Sequence, residues 1–314
     1  MSTETLGEIF ALLAALTWAF SLVLFRYSGE HVVPLALNLF KCAVGIVLLA
    51  ATLAVAPLLP GLLGDQSLAT FRAVPAKSLW LLVLSGVIGI ALADTLFFIC
   101  LNRIGVGLIS IVDCLYTPFV ILFSWMLLPH EVLTVWHLVG AGLILGGVLV
   151  SSGHAPPPNT TRGQLIAGVC SGAAAMAAMA LSIVIVKPAL EGTPVIWASS
   201  VRMVAGTVAL AVVVMLLPAR KSLWMVFRPS VAWRTSIPAA FLGTYLAYIF
   251  WIAGFKNAGA AVNAILNQTS IIFAIILATV VVKEPLTKRK LVSVGLALVG
   301  VGFVLHDKLA ALWN

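Results

Sequence analysis

Long apolar stretches alternate with short polar interruptions along the whole chain. Ten stretches stand out: Ile9 to Phe25, Pro34 to Ala56, Leu79 to Leu101, Gly105 to Leu128, Val135 to Ser151, Gly163 to Val186, Pro194 to Leu217, Ser236 to Phe255, Gly259 to Val282 and Leu291 to Leu305. Most approach the roughly 20 residues that a helix needs to cross the hydrocarbon of a bilayer, whereas strands of a membrane barrel are about half as long and alternate in polarity. The pattern predicts an all-α polytopic membrane protein with ten transmembrane helices. Composition agrees: 62% of residues are hydrophobic and 9% charged, and mean hydropathy is +1.16. A soluble domain of that make-up would leave far too much apolar surface in water. Glu4 and Glu8 precede the first stretch without a basic segment, so that stretch reads as a retained helix rather than a cleaved signal peptide.

Charge and cysteines narrow the chemistry. The net charge of +8 would suggest nucleic acid in a soluble protein, but here its natural partner is the anionic bilayer surface, and no nucleic acid is expected. Loops on the side of the N-terminus carry five basic residues, Arg72, Lys77, Lys187, Lys256 and Lys308. Loops on the other side carry eleven: Arg26, Arg103, Arg162, Arg220, Lys221, Arg228, Arg234, Lys283, Lys288, Arg289 and Lys290. By the positive-inside rule, this bias puts both termini outside the cytoplasm. Cys42, Cys100, Cys114 and Cys170 all fall inside predicted spans without Cys-x-x-Cys spacing, which indicates neither a disulfide framework nor a zinc site. Asn159-Thr160-Thr161 matches a glycosylation acceptor, but it adjoins Pro156, Pro157 and Pro158 in what reads as an interhelical linker. No phosphate-binding loop, metal signature or nucleophile elbow occurs, and no cofactor is expected.

The stretches also repeat. Glu131, Leu133, Thr134, Leu138, Gly142 and Gly147 return at identical spacing as Glu284, Leu286, Thr287, Leu291, Gly295 and Gly300. A shift of 154 positions pairs Gly89 with Gly243, Ala93 with Ala247, Gly105 with Gly259, Ile111 with Ile265 and Phe119 with Phe273. A shift of 161 pairs Lys41 with Arg202 and Gly45 with Gly206, and a shift of 156 pairs Gly7-Glu8 with Gly163-Gln164. The chain therefore divides into repeats at 1–155 and 156–314, each predicted to form a five-helix bundle. A module with an odd number of spans inserts its second copy upside down, which is how many transporters build two alternating openings around one site.

These residues resemble the drug/metabolite transporter superfamily and its ten-helix EamA-like branch. The resemblance rests on the duplicated Glu-x-Leu-Thr with its spaced glycines, on a basic residue early in the second helix of each half (Lys41, Arg202), and on Tyr116-Thr117-Pro118-Phe119. Two features depart from the family pattern: Lys41 stands where arginine is more frequent, and Thr269-Ser270-Ile271-Ile272 lacks a common proline. The resemblance implies a transporter without enzymatic activity and two cytoplasmic termini, the latter opposite to the loop-charge reading. It is similar to exporters of amino acids and other small metabolites in the bacterial inner membrane.

Ionisable groups within hydrocarbon cost at least about 2.5 to 3.5 kcal/mol on insertion scales, so they normally face a cavity or a partner. Four lie inside predicted spans: Lys41, Asp94, Asp113 and Arg202. Lys41 follows Pro34 by seven residues, Asp94 precedes Leu101 by seven, and Asp113 follows Gly105 by eight, all from one membrane face. At about 1.5 Å per residue the three share a level roughly 10 to 12 Å deep, so the lysine can pair with one aspartate and leave the other for a proton or a substrate ammonium. Asp94 and Asp113 are thus the proton-coupling candidates. The second copy places Arg202, Tyr248 and Asn267 at the matching positions, and Arg202 is expected to meet a substrate carboxylate or helix C-terminal carbonyls, or else to snorkel outward.

Helical spacing groups Asp113 with Tyr116 and Thr117, Asn263 with Asn267 and Ser270, and Tyr245 with Tyr248, faces that line a cavity or bind helices together. Gln268 adds an amide at that level, and Trp18 offers a stacking surface near the middle of the first helix. The expected substrate-binding set is Trp18, Lys41, Asp94, Asp113, Tyr116, Arg202, Tyr248, Asn263, Asn267 and Gln268. Gly142 with Gly146, and Gly168 with Gly172, are predicted close-contact faces, and Pro118 is predicted to kink the fourth helix but not the ninth. The function expected is secondary transport of small polar or amphiphilic metabolites such as amino acids, by a monomer or homodimer. A membrane-embedded enzyme or scaffold is the alternative class, and the histidines, all at or near predicted helix ends, argue against an enzyme.

Overall fold

The computed structural model describes residues 2–29, 32–58, 66–97, 99–100, 103, 112–128, 134–151, 161–217, 223–281 and 288–306. The Glu131-x-Leu133 and Glu284-x-Leu286 phrases, the proline linker and Asn159 lie outside them. Twelve helical segments organise the described residues: α1 (Thr3–Gly29), α2 (Pro34–Val55), α3 (Leu68–Arg72), α4 (Ala76–Phe97), α5 (Tyr116–Leu127), α6 (Val135–Ser151), α7 (Arg162–Glu191), α8 (Val195–Leu216), α9 (Trp233–Asn257), α10 (Ala260–Asn267), α11 (Thr269–Val281) and α12 (Lys288–Val304). Six contain spans long and apolar enough to cross a membrane, and four shorter apolar helices occupy the other expected stretches.

Local chemistry sets several helix starts. Thr161 and Gln164 form a reciprocal capping box at α7, Ser67 accepts from the Thr70 amide at α3, and Pro34 opens α2 where its missing N–H costs nothing. Within the spans, Thr52 and Thr207 hydroxyls donate to the carbonyls of Leu48 and Met203 one turn back, which satisfies polar groups that lipid would not.

Matching helices pack against one another in opposite directions. Along α2 and α8, Leu39 clusters with Leu210, while Cys42 and Leu49 cluster with Met203 and Ile196. Thr117 of α5 donates to the Ala264 carbonyl of α10 at 3.3 Å, and the Gln268 amide reaches back to the Asp113 carbonyl at 3.1 Å. At the α6–α12 contact, a Cβ on Gly147 would lie 2.8 Å from the Ser293 carbonyl oxygen and one on Gly300 2.8 Å from the Gly140 carbonyl oxygen. Each of the three pairs joins a helix to its own counterpart, antiparallel, which is the geometry of an inverted repeat.

The halves are not two separate bundles. Helix α1 packs on α9, α10 and α11 of the other half, and α7 packs on α4 and α5. Glycines make this interleaving close. A Cβ on Gly243 would collide with Ser21 Oγ, and one on Gly89 would lie 2.7 Å from Ser182 Oγ. Gly89 and Gly243 are counterparts, so Ser21 matches Ser182 and α1 matches α7 at a shift of 161, as for the second helices. The expected shift of 156 is therefore displaced by five residues. A two-residue match such as Gly7-Glu8 with Gly163-Gln164 recurs by chance, and the register is set by where backbones must approach.

Two further features obey the repeat. A wide π turn spans Val87–Ala93 in α4 and another spans Phe241–Ala247 in α9, 154 positions apart at both ends. Helix α5 begins after a turn at Cys114 and Leu115, and α10 gives way to α11 at Gln268, the counterpart of Cys114. The kink expected at Pro118 alone is thus a break in both copies, and no proline is needed for it in the second. Pro118 sits in the first turn of α5, where it disturbs no hydrogen-bond ladder. The close face of α6 also differs from expectation: Gly140 and Gly147 pack against α12, while a Cβ on Gly142 or Gly146 would meet nothing within 4 Å.

Candidate functional site

The π turns deliver their next residues, Asp94 and Tyr248, toward the middle of the fold. Such turns add a residue to the helix and re-aim the side chains beyond it, which is why they collect at functional positions. In the first copy Lys41 Nζ of α2 lies 3.5 Å from Asp94 Oδ2 of α4, with the side chains 15% and 17% exposed. In the second copy Arg202 Nε of α8 donates to the Tyr248 hydroxyl of α9 at 3.1 Å. The two contacts are the same contact made twice, a basic group on the second helix of a repeat meeting the residue after the π turn of the third. The two contacts share a neighbourhood, because Tyr248 packs on the cluster formed by Cys42 and Leu49 of α2 and Ile90 of α4.

Arg202 is 1% exposed and does not snorkel. Besides Tyr248, it donates from a terminal nitrogen to Ser85 Oγ, and Ser85 in turn donates to the Ser182 carbonyl at 2.5 Å. Its guanidinium carbon sits 5.6 Å from the centre of the Trp251 ring, close enough for a cation–π contact. A Cβ on Gly86 would collide with the Arg202 carbonyl oxygen, so the glycine lets α4 reach the α8 backbone here. The partners of the guanidinium are two hydroxyls and a ring, rather than the helix C-terminal carbonyls or the interface that were among the alternatives expected from sequence.

Asp113, set at the α5 break, forms no ion pair among the described residues, and its own carbonyl accepts from Gln268. It interacts electrostatically with Tyr116, which is buried and likewise feels Arg202. The shared depth predicted for Lys41, Asp94 and Asp113 thus becomes a contact for Asp94. Tyr116 Oη and Asn267 Nδ2 have no hydrogen-bond partner among the described residues. Asn263 is fully buried with both amide atoms unpartnered among those residues, and its Oδ1 packs against Gly254. Trp18 packs by its ring edge on Gly243, at the second π turn. Thr117 and Gln268 bind helices together.

Sequence reasoning passed over several of these groups. Trp251 lies one turn after Tyr248, so helical spacing could have found it. Ser85 carries no signal of its own, since a lone serine in an apolar run is common. Glu8, read as an N-terminal acid and a repeat marker but not as a site residue, is 6% exposed, and Asn38, one turn before Lys41, is fully buried.

The chain belongs to the EamA-like transporter family, whose profile matches residues 5–153 and 166–306. It is thus an integral membrane protein of the drug/metabolite transporter type. A solved crystal structure is similar over 98% of this chain and 99% of its own, with a TM-score of 0.77 and 19% identity, a likeness of fold alone. No curated protein matches the chain.

Proposed function

We propose that the chain is a secondary transporter that moves small polar or amphiphilic metabolites such as amino acids across a bacterial inner membrane by alternating access. The observation that carries this reading is the pair of matched contacts, Lys41–Asp94 and Arg202–Tyr248, at the interface between inverted repeats. A site on the pseudo-two-fold axis is reached equally from either face as the repeats rock, and charges of both signs beside aromatic rings suit a zwitterion. Trp18, Tyr116, Asn263, Asn267 and Gln268 complete the proposed surroundings. Coupling falls to Asp113, because Asp94 already has its lysine. Protonation of Asp113 changes the local charge by one and biases the equilibrium between openings.

Purified protein in liposomes tests this directly with labelled amino acids. Asp113→Asn is expected to keep exchange between equal solutions and to lose accumulation driven by a pH gradient. Full gradient-driven transport in that variant would remove Asp113 from the mechanism and leave facilitated diffusion. Movement of organic cations or amines in place of amino acids would instead favour drug or amine transport through the same site.

A further inference from the structure

Arginine has donors only, and a phenol has one proton to give. Because Arg202 Nε donates to Tyr248 Oη at 3.1 Å, the oxygen is used as an acceptor and the Tyr248 O–H must point at something else. Arg202 cannot turn to compete for that role. It is 1% exposed, tied to Ser85 on α4, and stacked over Trp251 at 5.6 Å, while Ser85 is itself anchored to the Ser182 carbonyl of α7 at 2.5 Å. The guanidinium is therefore a fixed post joining α4, α8 and α9, and the groups it engages are neutral. Tyr248 is only partly buried and, besides meeting Arg202, packs on the cluster formed by Cys42 and Leu49 of α2 and Ile90 of α4, the stretches that carry the Lys41–Asp94 pair.

We propose that the Tyr248 hydroxyl reads a hydrogen-bond acceptor on the substrate, a carboxylate in the amino acid case, and that Arg202 never touches substrate but acts as a positioning residue through Tyr248. The positive charge behind the phenol polarises its O–H and fixes its direction, so the donor is strong and already oriented before substrate arrives. This rests on the transport reading and specifies which end of the substrate meets the second copy.

Liposome counterflow at equal pH, with the labelled common amino acids and their decarboxylated amines as two probe sets, separates the possibilities. Wild type is expected to prefer the amino acids. Tyr248→Phe should raise the half-saturation concentration for amino acids about tenfold, the scale of one good hydrogen bond, while leaving that for amines unchanged. Arg202→Lys should move the same ratio less, and should add nothing in the Tyr248→Phe background. Ser85→Ala, which loosens the guanidinium from the far side, should shift the ratio in the same direction with the phenol intact, and serves if Tyr248→Phe does not fold. An unchanged ratio in Tyr248→Phe, or losses that add in the double variant, would overturn the assignment. Wild type that moves only amines overturns it too while leaving transport standing, and wild type that moves neither set overturns the amino acid reading with it.

Discussion

In the first copy of the repeat a lysine meets an aspartate at 15% and 17% exposure; in the second, an arginine at 1% exposure meets a tyrosine. The backbone that brings them together is the same, two π turns and two broken helices at matched positions. Only the chemistry has diverged. The open copy holds two opposite charges, which can be separated by a competing ion. The closed copy holds one charge, surrounded by neutral groups that have nothing to gain by releasing it. Duplication thus supplied one geometry that holds an ion pair in one copy and a single cation among neutral partners in the other.

The comparison can be broken by removing each cation in turn. Lys41→Met should cost about 3 kcal/mol in unfolding free energy, because Asp94 is left as a poorly solvated charge without its partner, and Asp94→Asn should restore part of that loss in the double variant. Arg202→Met should cost about 1 kcal/mol or less despite deeper burial, since it strands only hydroxyls and also relieves the desolvation of a cation. Unfolding titrations in detergent that rank the two variants the other way would refute the contrast.

The backbones can be compared in the same manner. Gly86 faces the Arg202 carbonyl with no room for a Cβ, whereas its counterpart, Ala240, is fully buried with one. Gly86→Ala should therefore lose about 1 to 3 kcal/mol by overpacking, and Ala240→Gly about 1 kcal/mol by helix propensity. Equal thermal shifts would mean that the third helix of each copy meets the second helix of the other copy alike.

The smallest effect should come from the glycines of α6. Gly142→Ala, at an exposed site with open space around it, is expected to raise stability by about 0.4 to 1 kcal/mol. Gly147→Ala should lower it by about 1 kcal/mol, because its Cβ would press on the Ser293 carbonyl across the α6–α12 contact. Thermal unfolding of the two single variants distinguishes the contact face from the lipid face.

The sequence by itself determined that this is a helical membrane protein with an internal repeat, because transfer into lipid depends on local composition and on run length, and both are read without knowing any contact. It also determined that Lys41 corresponds to Arg202 and Asp94 to Tyr248, since matching the copies block by block, at shifts of 161 and 154, needs no coordinates. Tertiary structure alone decided which of two aspartates at one depth meets the lysine, because depth is one coordinate and pairing needs three. It decided that the repeats interleave rather than stand apart, that α1 matches α7 at 161 and not 156, and that Gly147 rather than Gly142 is the contact. Each of these depends on helix rotation, and along an apolar helix small residues are only a weak marker of the side that faces another helix rather than lipid. Ser85 entered the site only through the chain's folding, which set a serine from α4 against a cation from α8.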